Sequence, residues 1–101
     1  MEKLGQFINL LYEIIDLAET ESARIHSKQP SEWDINQLDN VVQPEINELL
    51  SYALKGKVHF KYGNKQRMLE STYIITDSLS KLNTTSLGIK ITTLQKLYNS
   101  L

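Results

Sequence analysis

Apolar residues recur every three or four positions along most of this chain, which commits it to amphipathic helices. The first run is Leu4, Phe7, Ile8, Leu11, Ile14, Ile15, Ala18 and Ile25. That spacing keeps the residues on one stripe of a helix with about 3.6 residues per turn, and polar residues fill the other face. Leu10 and Leu17 widen the stripe, which suits a helix touching two neighbours. This first predicted helix runs to about Ser27.

Three more segments follow. Pro30 biases Gln29 away from helical geometry, so Lys28–Ser31 reads as a break. Ser31 with Asp34 has the form of a capping box, and a second helix is predicted to begin near Ser31–Asp34. Its stripe is Ile35, Leu38, Val42, Ile46, Leu49 and Ala53, with Val41 and Leu50 beside it. Pro44 lies inside this pattern and has no N–H for the Asn40 carbonyl. A kink or short interruption near Val42–Pro44 is therefore expected. Gly56 is placed to close the helix as its C′ residue.

Val58, Phe60 and Tyr62 alternate as in a strand, but nothing else in the chain offers itself as a sheet partner. That stretch reads as a connection or the first turns of a third helix. Gly63-Asn64 supplies a stop and a cap, and from Lys65 the stripe Met68, Leu69, Thr72, Ile75, Thr76, Leu79, Leu82 predicts a helix ending near Asn83. Thr84-Thr85-Ser86 offers cap candidates. Leu87, Ile91, Leu94, Tyr98 and Leu101 predict a fourth helix despite Gly88. Four amphipathic helices on short links normally stack antiparallel around one core. The expected fold is all-α, an up-down-up-down four-helix bundle over residues 1–101, with helix two kinked or interrupted near Pro44.

With 101 residues and no cysteine, the chain is expected to form a single domain without disulfides or thiolate metal sites. The segment Met1–Phe7 does not read as a secretory signal, and no apolar stretch approaches the ~18 residues of a membrane span. A cytoplasmic protein with no membrane insertion is expected. The net charge of −1 hides an asymmetry: residues 1–50 carry ten acids against three bases, and residues 51–101 carry eight bases against two acids. Either the basic half faces an anionic partner, or the halves pack together and their rims attract. The second explanation is preferred, since exposed charge pairs are common and weak.

Catalytic patterns are missing. Di-iron bundles use Glu-x-x-His pairs, and the residues three before His26 and His59 are Ala23 and Gly56. Two separate histidines do not make a zinc site. Glu13 with Asp16, and Glu45 with Glu48, share helix faces that read as solvated, which leaves no apolar pocket to separate their acidities. No Gly-x-Ser-x-Gly turn, P-loop or dinucleotide fingerprint occurs. No catalytic, cofactor-binding or metal residue is assigned, no cofactor is expected, and the chain is read as a non-enzyme.

The densest feature is the segment 55–67, with five Lys/Arg, no acid and two aromatic rings. Lys55, Lys57, His59, Phe60, Lys61, Tyr62, Lys65 and Arg67 form a possible interaction surface. Bases interleaved with rings could meet phosphates and stack on unpaired bases. A basic connection also complements the dipole at the end of helix two, so a protein partner is expected ahead of nucleic acid, with the chain a monomer or homodimer. Trp33, beside the start of helix two, is expected to pack across the end of the bundle.

Several residues give the chain a family likeness. Pro30 is followed by Trp33-Asp34, and Val41-Val42-Gln43-Pro44 opens the main part of helix two. Lys61-Tyr62 and Gln66 enter helix three, and Thr85-Ser86 precedes a last helix carrying Lys90 and ending near Leu101. In these the chain resembles the YppE-like family of small four-helix proteins from low-GC Gram-positive bacteria, with Phe60-Lys61 where that family has an arginine-proline pair. The resemblance implies a four-helix fold and no assigned activity. In size and helical character the chain is also similar to cytosolic bacteriocin immunity proteins, whose third helix Pro44–Tyr52 resembles. An immunity-type role is the alternative this implies.

Overall fold

The periodic stripes become helices in a computed structural model that describes residues 2–57, 68–76 and 81–101. Helix α1 spans Lys3–His26 and buries Phe7, Leu10, Leu11, Ile14 and Ala18. It packs against two later helices, as the widened stripe suggested. Its end is a Schellman turn: the Lys28 N–H donates to the Ile25 carbonyl (3.0 Å) and the Gln29 N–H to the Arg24 carbonyl (2.8 Å). Lys28 occupies the left-handed position at φ 61°, where glycine is the usual occupant.

The next helical run has three parts in sequence: helix α2 (Ile35–Gln37), a π-helical stretch (Leu38–Val42) and helix α3 (Gln43–Ala53). The capping box lies one step beyond the expected one. Asp34 accepts from the Asn36 N–H at 3.0 Å, and Gln37 accepts from the Asp34 N–H at 3.1 Å. Ser31 instead accepts from the Trp33 N–H at 3.0 Å and donates to Glu21 at 2.7 Å.

The irregularity expected near Pro44 takes the form of that π-helical stretch, in which the Gln43 N–H reaches back to the Leu38 carbonyl. A proline cannot supply the N–H that ordinary α bonding would require at position 44. Spacing in fours, as in Leu38–Val42–Ile46, drifts by about 40° per step around an α-helix. The wider π turn offsets that drift, and all three side chains are buried. Helix α3 closes on a second Schellman turn, with the Gly56 N–H on the Ala53 carbonyl (2.9 Å) and the Lys57 N–H on the Tyr52 carbonyl (3.0 Å). Gly56 holds the left-handed position at φ 77°.

The third stripe departs most from its expectation. Met68 and Leu69 are not helical, and Leu69 is extended at ψ 149°. Helix α4 runs only over Glu70–Ile75, and Leu82–Thr84 forms a separate 3-10 turn. The alternating stretch from Val58 to Tyr62 lies outside the described residues, as do Gly63-Asn64 and Leu79. Helix α5 spans Ser86–Ser100; Thr85 caps it by accepting from the Gly88 N–H at 3.0 Å.

Helices α1 and α5 are antiparallel, because Phe7 meets Tyr98 with ring centroids 6.2 Å apart while Glu13 meets Lys90 at 2.6 Å. That ion pair joins the acidic half to the basic half. Both side chains are about half exposed, so it contributes at most about 1 kcal/mol. The core runs from Phe7 and Leu11 through Leu38, Ile46 and Leu49 to Ile91 and Tyr98. The Cα radius of gyration is 13.3 Å, close to the roughly 13 Å of a compact chain of this length. Among the described residues there is no strand.

Candidate functional site

Three regions gather polar or exposed side chains. The first is the start of the basic segment. Lys55 and Lys57 are exposed at the end of α3, where their charge complements the partial negative charge of that helix terminus. The Lys55 ammonium lies 5.9 Å from the Tyr52 ring centroid, within reach of a cation–π attraction. Leu54, between them, is 58% exposed. The structure thus groups Lys55 with Tyr52 and Leu54, two residues not expected at this surface. The clue was the three-residue step from Tyr52 to Lys55, which makes them neighbours on a helix. His59, Phe60, Lys61, Tyr62, Lys65 and Arg67 lie outside the described residues.

The second region is a shallow pocket of about 350 Å³ lined by Glu21, Arg24, Pro30, Ser31, Glu32, Trp33 and Thr85. Its volume suits a small ligand, but several of its polar side chains, Ser31, Arg24 and Thr85, are held by bonds within the protein. Ser31 bridges Glu21 and the Trp33 backbone. Arg24 donates to the Pro30 carbonyl at 3.0 Å. The Thr85 hydroxyl donates to the Leu82 carbonyl at 2.6 Å and accepts from the Gly88 N–H and from the Trp33 indole N–H at 3.2 Å. Trp33 is 4% exposed and belongs to the core. This pocket is the seam where the α1–α2 connection meets the start of α5.

The third region surrounds the start of α4. The first turn of any helix leaves N–H groups without helical acceptors, and here two other helices supply them. The Glu45 carboxylate, from α3, accepts from the Glu70 N–H (2.8 Å), the Ser71 N–H (2.8 Å) and the Ser71 hydroxyl (2.7 Å). The Gln95 carbonyl oxygen, from α5, accepts from the Leu69 N–H and the Thr72 hydroxyl, both at 2.8 Å. The Gln95 amide nitrogen donates to Asn99 at 2.9 Å, which fixes the orientation of the amide. Ser71, Thr72 and Gln95 are all buried.

Each buried donor left without its acceptor would cost about 1–3 kcal/mol, so this cluster is a strong structural constraint. Glu45 is therefore half-buried and engaged, not part of a solvated face. Glu13 of the other acidic pair holds Lys90. Among the described residues no group of three His, Asp or Glu side chains is placed to hold a metal ion. Also among these residues, no helix is long and apolar enough to cross a membrane. Compared with protein-family models, curated proteins and solved structures, the chain matches none.

Proposed function

We propose that this chain is a non-enzymatic cytoplasmic protein that works through contacts with another protein, and that its helices form an up-down-up-down four-helix bundle. The antiparallel pairing of α1 with α5 supports the bundle. A relation to the YppE-like proteins is part of the same proposal. One observation carries the functional reading: Tyr52, Leu54 and Lys55 stand together on the outside of the α3 terminus, the lysine set against the tyrosine ring. Tyrosine is among the residues enriched at the centres of protein interfaces, and the exposed Leu54 beside it adds apolar surface that a partner could bury.

The test is a photo-crosslinking residue placed at Leu54 in the full chain, expressed in its native cell. A discrete protein adduct is expected from position 54 and none from Lys96, an exposed position on α5. The adduct should disappear when Tyr52→Ala and Lys55→Glu are added. No adduct at position 54, or one removed by nuclease, would overturn the reading, the second outcome in favour of nucleic acid.

A further inference from the structure

We infer that α4 is a clasp held in its helical form from outside, by Glu45 and Gln95, and able to open as a unit while α1, α3 and α5 stay folded. A six-residue helix is far below the length at which a helix persists by itself. Helix α4 also has no cap of its own: Leu69 at the N-cap makes no side-chain bond to it. What replaces the cap comes from two directions. Glu45 sits on α3 and Gln95 on α5, so the acceptors for Leu69, Glu70 and Ser71 are in place only while both helices keep their present distance from the start of α4. Helical order in α4 therefore reports the spacing of its two neighbours.

The apolar anchorage of α4 is small. Leu69 and Ile75 are its buried aliphatic side chains, Ile74 is partly buried against the same core, and the remaining buried positions, Ser71 and Thr72, depend on the same two caps. Tyr73, midway along the helix, is 63% exposed. Segments with few buried apolar contacts open at lower free energy than the rest of a protein. Opening this one would uncover the parts of the π-helical stretch and of α5 on which it lies. This inference is independent of the function proposed above, because the α3 terminus takes no part in it.

The test is native-state amide hydrogen exchange by NMR on the full chain, with Glu45→Ala compared to the unmodified protein. Protection at Tyr73 and Thr76 should fall by about tenfold or more, while core amides of α1 and α5, such as Ile14 and Ile91, change by less than about threefold. Glu45→Gln keeps an acceptor oxygen and should recover part of the lost protection, which also covers the case in which the alanine variant fails to fold. The inference is overturned if protection at Tyr73 is unchanged in both variants. It is equally overturned if α1, α4 and α5 lose protection together in Glu45→Gln.

Discussion

The two polar clusters that flank α5 are built in opposite ways. At its start, the seam around Trp33 and Thr85 is assembled from short-range features: an ST-type turn at Ser31, a capping box at Asp34 and Gln37, and a threonine cap three residues before Gly88. One long-range bond, from the Trp33 indole to Thr85, then ties two locally formed pieces together. Further along α5, the cradle of α4 is long-range: apart from the Gln95–Asn99 bond that orients the amide, every bond in it joins separate helices. Its acceptors lie 25 or 26 residues from the amides they serve. The seam is thus held by turns whose partners are neighbours in sequence, whereas the first turn of α4 draws its acceptors from distant parts of the chain.

Substitutions can sharpen this contrast, and the larger effect is expected at the seam. Gly88 lies inside the first turn of α5, where alanine would ordinarily favour a helix by about 1 kcal/mol. Here a Cβ would overlap the Leu82 carbonyl oxygen and come within 2.8 Å of its carbon, and both belong to backbone that a rotamer change cannot move. Gly88→Ala should therefore destabilise by a net 1–2 kcal/mol or so, the overpacking cost outweighing the gain in propensity. Urea unfolding would measure it. A stabilised variant would mean that the 3-10 turn and the start of α5 are not in contact.

A smaller effect of opposite sign is expected at Lys28. It occupies the left-handed position of the same Schellman turn that Gly56 occupies at the end of α3. A left-handed non-glycine residue costs about 1–2 kcal/mol, and glycine returns about 0.4–1 of that as extra freedom in the unfolded chain. Lys28→Gly should therefore stabilise by about 0.5 kcal/mol, seen as a higher urea midpoint with an unchanged slope. A lower midpoint would show that the lysine side chain contributes to the turn.

The same contrast explains what could be read from residues alone. Helix α1, the register Leu38–Val42–Ile46, the glycine closing α3 and the Thr85 cap were legible, because spacing and local chemistry encode them. The disruption before Pro44 was legible as an event but not as a π turn, whose form depends on burying three side chains in fours. The third helix, expected from Lys65 to Asn83, is α-helical among the described residues only over Glu70–Ile75. Its apolar spacing is genuine, yet Leu69 gives its N–H to Gln95 and stays extended. Glu45 was assigned to a solvated face for the same reason, since its partners on α4 become neighbours only in the folded chain. The basic segment was legible from its charge, but Tyr52 and Leu54 beside it were not, because their exposure depends on how the end of α3 packs in the folded chain.

The central claim is that the first turn of α4 is capped by side chains of other helices, and its most direct test is hydrogen exchange at three backbone amides in the unmodified protein. Amides in the first turn of a solvent-capped helix exchange within about tenfold of the unfolded rate, since no backbone acceptor protects them. The account predicts that Leu69, Glu70 and Ser71 are slowed on the order of a hundredfold or more, Leu69 the most because its acceptor, Gln95, is buried. Exchange of all three at nearly unfolded rates, with α1 and α5 well protected, would contradict it.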